Sequence, residues 1–226
     1  MTNYVVSAPR SGLNWTRYCV EHFLNRPTPG KKLILPNDDD AKHAFVRTHD
    51  ALFMRPDIEE GRAYRKLDPE AMTEDRVVLI VRDPLETFVR SSRKSFDHFA
   101  CFAGNLRFLV AARTPRKMVV HYEDLVADPN AMFDVLTFLD LEPGQRADAP
   151  SRDRVAAEWD QVAEASRRSY QRKQFWGGGA KTRKNPLDFQ FHQKNLTEAE
   201  KAGVWAFLDD ALSDEEMQIL TRYRAR

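Results

Sequence analysis

Three short stretches carry side chains suited to handling an anion. Residues 7–15 read Ser-Ala-Pro-Arg-Ser-Gly-Leu-Asn-Trp and follow the apolar run Tyr4-Val5-Val6. A strand, a turn and a helix in that order present unpaired N–H groups and the positive end of a helix dipole to a bound anion. Ser11, Gly12 and Asn14 are small or polar, so the backbone can approach a phosphate. Arg10 adds a fixed charge in a forked donor geometry, and Trp15 offers a flat face to a base. In residues 77–92, an apolar run ends in Arg82, followed by Arg90, Ser91 and Ser92. Arg82 thus falls at the carboxyl end of a strand, where open α/β sheets bind ligands. Residues 45–50, Phe-Val-Arg-Thr-His-Asp, put His49 at the end of a third run with Arg47 two residues before it. Histidine is the usual general base near neutral pH. Each stretch also has a plain structural reading: a strand–helix connection, a solvated basic helix face, a structural histidine.

These residues need elements to position them. Strand-like runs occur at 4–8, 44–48, 77–81 and 117–121. Val77–Val81 is apolar without alternation, as in a parallel strand covered on both faces. Helical patterns follow at 15–24, at 84–93 with Asp83 as N-cap and Pro84 in the first turn, at 129–139 after Asp128, and at 151–171. Thr197 with Glu200 and Ser213 with Glu216 have capping-box spacing and predict two closing helices. Residues 119–129 read as a strand, an acidic turn holding Glu123 and Asp124, and a helix. Strands alternating with helices predict an α/β fold, a central mostly parallel sheet flanked by helices.

Composition removes several function classes. The 226 residues carry a net charge of +1, so no global field draws the chain to nucleic acid or to an anionic membrane. Any basic site must be local. Residues 165–194 form one such region, with eight Lys or Arg against Asp188 and with aromatics interleaved; it suits either a lid over an anionic ligand or a nucleic-acid track. Cys19 and Cys101 are the only cysteines, which argues for free thiols and a reducing, cytoplasmic compartment. No apolar run approaches the about 18 residues of a membrane span. No His, Cys or carboxylate cluster has metal-ligand spacing, so a metal site is not expected.

Taken together, the motifs resemble those of sulfotransferases that use 3′-phosphoadenosine 5′-phosphosulfate (PAPS), the soluble, cytosolic-type enzymes in particular. The family's 5′-phosphosulfate loop is Pro-Lys-Ser-Gly-Thr-Thr-Trp, and Pro9 to Trp15 matches it at Pro, Ser, Gly and Trp. The family's 3′-phosphate motif, a strand ending in Arg-Asn/Asp-Pro, is similar to Arg82-Asp83-Pro84. Its catalytic Lys-Thr-His is close to Arg47-Thr48-His49. Tyr-Glu-Asp-Leu-Val-Ala-Asp-Pro at 122–129 and Lys-Asn-Leu-Thr at 194–197 resemble further family phrases. Three departures stand out. Arg10 replaces a lysine, Leu13 and Asn14 replace two threonines, and the family serine falls at Arg90, with Ser91 one later.

The resemblance implies a P-loop-kinase-like sulfotransferase fold in one domain over residues 1–226. It implies transfer of a sulfuryl group from PAPS to a hydroxyl or amine of a small-molecule acceptor, without a metal, a nucleic acid or a membrane, and with adenosine 3′,5′-bisphosphate as product. His49 would be the general base, with Arg10 and Arg47 as its catalytic partners. Arg10, Ser11, Gly12, Leu13, Asn14, Trp15 and Arg82 would bind the donor, with Arg90 or Ser91 at the 3′-phosphate. The family's late Arg-Lys-Gly loop has no plain match: Lys173 is followed by Gln174 and Lys184 by Asn185, and Arg183 with Lys184 is preferred as the cofactor-binding counterpart because its distance to Asn195-Leu196-Thr197 is nearer the family spacing. Two rival readings stand beside this one. An ATP-dependent small-molecule kinase of related topology would need a Gly-Lys-Ser/Thr ending that the loop lacks. A non-catalytic relative, binding nucleotide or nucleic acid, would use the same basic surfaces.

Overall fold

A computed structural model of the chain describes residues 1–36, 42–55, 58–61, 63–90, 94–140, 150–175 and 195–224. Four parallel strands form the central sheet: β1 (Asn3–Ser7), β2 (Val46–Thr48), β3 (Arg76–Val81) and β4 (Lys117–His121), in the order β2-β1-β3-β4. The pairing is in register from Tyr4 with Val46, Tyr4 with Val77 and Val77 with Lys117. All six residues of β3 are buried, which explains the apolar run without alternation. From β1 the chain moves outward to β2, then returns past β1 to β3 and β4. The order therefore reverses between β1 and β3. The carboxyl ends of these two strands open a crevice where the loops after them turn to opposite faces of the sheet.

Helices cover both faces. On one face α1 (Leu13–Phe23), α4 (Tyr122–Ala127), α5 (Pro129–Asp140) and α6 (Arg152–Phe175) pack on Val5, Val78 and Ile80. On the other, α2 (Pro84–Arg90), α3 (Phe96–Ala111), α7 (Glu198–Ala211) and the short α8 (Asp214–Gln218) and α9 (Thr221–Arg224) pack on Val6, Leu79 and Val81. Local chemistry sets the boundaries. Asp83 Oδ1 accepts from the N–H groups of Leu85 and Glu86 and starts α2. Asp128 Oδ1 takes the N–H of Asn130 and starts α5. Both expected capping boxes close, Thr197 with Glu200 and Ser213 with Glu216.

Three boundaries differ from the sequence reading. Helix α1 begins at Leu13, immediately after Gly12, rather than at Trp15, so the loop residues lie in its first turn. The acidic turn after β4 is the helix α4, which starts at Tyr122 without a linker. Helix α3 has no counterpart in the sequence reading. Its buried residues, among them Phe99, Cys101, Phe102, Leu106 and Phe108, surround most of its circumference and leave no amphipathic stripe to detect. Cys19 and Cys101 are buried and form no disulfide. Among the described residues no helix is long and apolar enough to cross a membrane.

Candidate functional site

The loop from Ala8 to Gly12 joins β1 to α1 at the point where the strand order reverses. Ser11 N–H donates to the Ala8 carbonyl at 3.2 Å, and Gly12 carbonyl accepts from the N–H of Trp15 at 2.9 Å. Arg10 and Gly12 both take left-handed backbone conformations, φ 73° and 98°. Gly12 is the N-cap of α1, no side chain caps that helix, and its first turn holds no acid. The helix thus offers its leading N–H groups and positive end with no internal anion to consume them.

Gly12 is required there twice over. Its φ favours glycine, and a Cβ at this position would collide with the ring of Tyr122 at Cδ2 and Cε2. Gly12→Ala is expected to cost about 3 kcal/mol, summing left-handed strain and overpacking. Urea denaturation would read that loss as a lower midpoint at an unchanged slope.

The loop after β3 braces the first one. Arg82 is 4 % exposed, and its Nη1 donates to the Arg10 carbonyl at 3.0 Å. Its guanidinium also sits 4.4 Å from the centre of the Tyr122 ring. Glu86, fully buried, accepts from Arg82 Nη2 at 3.5 Å and from Arg90 Nε. The three residues are spaced i, i+4, i+8, Arg82 just before α2 and the other two within it, so one carboxylate orients two guanidiniums. Burial, and next Arg90, push the Arg82 guanidinium down from its ordinary value. Glu123 joins this scaffold to the chain's end: Oε1 accepts from Asp83 N–H at 3.2 Å, and Oε2 from Tyr223 Oη at 2.6 Å.

A cleft of about 580 Å³ opens beside these loops. Arg10, Arg82, Arg90 and Arg167 line it, and among the described residues no carboxylate does. Arg10 and Arg167 are exposed and form no ion pair with any described residue. Gly12, Leu13, Asn14 and Trp15 also line the cleft; Trp15 is fixed by its indole N–H on the Leu125 carbonyl at 2.6 Å and by an edge contact with Trp159. Ser11 lies below the surface, 1 % exposed, and its hydroxyl has no partner among the described residues.

His49 stands on the same cleft. Its Nδ1 lies 2.8 Å from the Ser7 carbonyl. A carbonyl only accepts, so Nδ1 carries the proton and Nε2 is the bare nitrogen. The His49 carbonyl accepts from Asn105 Nδ2, its N–H donates to the Ala63 carbonyl, and Tyr64 packs edge-on against the ring. Burial pushes the imidazole down to about 4; the Ser7 contact opposes that, and the charges of Arg47, Arg17 and Arg10 reinforce it. His49 is therefore neutral throughout the physiological range.

No family model matches this chain, and no curated protein matches it. The cleft is read on its own geometry.

That geometry brings together Arg10, Gly12, Leu13, Asn14, Trp15, His49, Arg82 and Arg90, with Ser11 just beneath. Arg47 lies apart. It lines a different pocket at the other end of β2, and its guanidinium packs with that of Arg17 against Gly30. From there it acts on His49 through charge. Ser91, Arg183 and Lys184 fall outside the described residues, as does most of the late basic stretch. Arg167, from the late basic stretch, lines the cleft, and three residues that sequence reasoning did not single out belong to the cleft or its frame: Tyr64, Glu86 and Tyr122. The spacing of Arg82, Glu86 and Arg90 was a usable signal for Glu86. Tyr122 opens the phrase at 122–129, but its packing on Gly12 depends on the fold. Tyr64 lies in a segment without periodicity and gave no signal.

Among the described residues no group of three or more His, Cys, Asp or Glu side chains is placed to hold a metal.

Proposed function

We propose that the chain is a sulfotransferase of the P-loop-kinase-like sulfotransferase fold, moving a sulfuryl group from PAPS to a hydroxyl or amine of a small-molecule acceptor. The observation that carries this reading is one cleft whose described residues unite an uncapped helix start, four arginines, no carboxylate and a neutral histidine with a bare Nε2. Those residues fit the donor, which brings anionic groups at its 5′ and 3′ ends and an activated sulfuryl group.

The N–H groups at the start of α1 would hold the 5′ end, and the exposed Arg10 would stabilise charge growing on the oxygen between phosphorus and sulfur. Such preorganised charge is often the largest catalytic contribution. Arg90, oriented by Glu86, is the reaching cation for the 3′-phosphate. Arg82 would act chiefly as the brace that fixes the loop, because its guanidinium is already turned onto the Arg10 carbonyl and the Tyr122 ring. Trp15 would present its ring to the adenine. His49 Nε2 would take the acceptor proton as the new oxygen–sulfur or nitrogen–sulfur bond forms and the old sulfur–oxygen bond breaks; the electron pair leaves with adenosine 3′,5′-bisphosphate. Arg47 contributes at a distance, by helping to hold His49 neutral.

A screen of hydroxyl- and amine-bearing acceptors with sulfur-labelled PAPS tests the reading. Label should pass to an acceptor with release of one adenosine 3′,5′-bisphosphate per transfer. Label that never leaves PAPS, across a panel spanning phenols, alcohols and amines, would overturn it.

The pH dependence is a further expectation. A base must be unprotonated, so kcat/KM falls on the acid side through the free protein's His49 value. That limb is expected near pH 4 instead of near the ordinary histidine value of about 6.5. The same shift acts on stability. The unfolded chain protonates His49 first, so the native state loses stability as pH falls from the unfolded value toward 4, and loses none above it. A kcat/KM limb at the ordinary histidine value would mean that burial does not lower the His49 imidazole as expected.

A further inference from the structure

Helix α3 carries one amide among its buried residues, which are otherwise apolar or glycine. That residue, Asn105, is 1 % exposed. Asparagine is a poor choice for a helix interior, and a buried amide costs free energy unless it finds partners. Its partners are two backbone groups of one short segment. Nδ2 donates to the His49 carbonyl at 3.1 Å, and Oδ1 accepts from the Ala51 N–H at 2.9 Å. A carbonyl only accepts and an N–H only donates, so the amide fits in one orientation alone. The two groups belong to the peptide units on either side of Asp50. The other backbone groups of His49 and Ala51 are taken by a different segment. His49 N–H donates to the Ala63 carbonyl, and the Ala51 carbonyl accepts from Leu67 N–H, each at 2.9 Å. Asn105 therefore fixes the plane of the peptide that leaves His49, and with it the direction from which the imidazole Nδ1 reaches the Ser7 carbonyl. Asn105 itself does not line the cleft, so it acts through His49 and not on a ligand.

We propose that Asn105 is a positioning residue for the base, clamping the backbone around Asp50 so that His49 keeps its proton on Nδ1 and its bare Nε2 at the cleft. The tautomer of a histidine is set by the bond that its other nitrogen makes. Here that bond runs to Ser7, and it survives only while the His49 backbone is held in place. The consequence for turnover rests on the sulfotransferase reading, but the tautomer is a property of the fold alone.

Two variants of the whole chain test this. Asn105→Leu keeps a similar volume and removes both bonds. Asn105→Ala opens room for water to take the two peptide groups, and it carries the test if Asn105→Leu fails to fold. With PAPS and an acceptor from the screen, kcat is expected to fall about 10–100-fold, the scale on which a displacement of about 1 Å acts. The Kd for adenosine 3′,5′-bisphosphate should stay within about twofold. Nitrogen-15 NMR of histidine-labelled protein reads the ring directly, with the His49 signals assigned by their loss in His49→Ala. The wild-type ring should show a proton on Nδ1 and a bare Nε2, and in the variants the proton should be shared between the two nitrogens. His49 signals that keep the wild-type tautomer in the variants would overturn the proposal. So would a bisphosphate affinity that falls as far as kcat, or an unchanged kcat in the variants when His49→Ala lowers it. The two claims separate cleanly. If the tautomer shifts in the variants while His49→Ala retains turnover, the base assignment fails and the positioning role stands. If His49→Ala abolishes turnover while the Asn105 variants keep both tautomer and rate, the reverse follows.

Discussion

Replacing His49 with alanine is expected to lower kcat by about 10²–10⁴-fold, the usual worth of a positioned general base, while affinity for adenosine 3′,5′-bisphosphate stays within about twofold. The separation follows from the geometry. His49 is anchored through its own backbone and through Nδ1, and neither anchor touches the start of α1. Removing the ring also removes a nitrogen that burial, reinforced by three arginines, keeps free of a proton. The nucleotide affinity should not fall, because no anion-binding group is lost. Rapid-quench turnover with labelled donor, together with calorimetry of the bisphosphate, reads both quantities. Turnover that survives His49→Ala would place the base elsewhere.

The second large effect is on Glu86. This carboxylate is fully buried and bonded to both Arg82 and Arg90. Glu86→Ala would leave the Arg82 charge buried without its counter-ion, at a cost of about 3–5 kcal/mol. Arg90 is less buried, at 21 % side-chain exposure, and can turn to water, so the lower end of that range is expected. The loss should be visible as a reduced urea midpoint. It should also weaken the bisphosphate, since Arg90 loses its orientation and Arg82 no longer holds the Arg10 carbonyl in a fixed place. Glu86→Gln keeps the acceptor oxygen and should recover part of the stability. Undiminished stability in Glu86→Ala would mean that the two guanidiniums are held by other contacts.

The sheet was legible because its central strand is apolar on both faces, and several helix starts were legible from their capping chemistry. Asp83, Asp128, Thr197 and Ser213 all cap where their spacing predicts. Helix α3 was not legible, because a helix buried nearly all round shows no 3.6-residue stripe. The site divides in the same way. Arg10, Gly12, His49 and Arg82 sit at strand ends and helix starts, where sequence position fixes spatial position, and they meet in one cleft. Arg47 is two residues from His49 and so emerges on the same side of β2, yet its long side chain runs back to Gly30 and Arg17. Adjacency along a strand does not decide where an arginine's charge ends up. Tyr64 and Tyr122 reach the site only through tertiary packing, Tyr122 by filling the space that Gly12 leaves.

The central claim is that the cleft is built for a nucleotide carrying a 3′-phosphate and not for ATP with Mg²⁺. Thermal unfolding in the presence of each ligand tests it most directly. At about a hundredfold excess over Kd, adenosine 3′,5′-bisphosphate should add about 2.7 kcal/mol to stability. For a chain of this size that is a rise in Tm of about 5–10 °C. ATP–Mg²⁺ at the same concentration should give a clearly smaller rise. A larger rise with ATP–Mg²⁺, or none with the bisphosphate, would contradict the sulfotransferase reading.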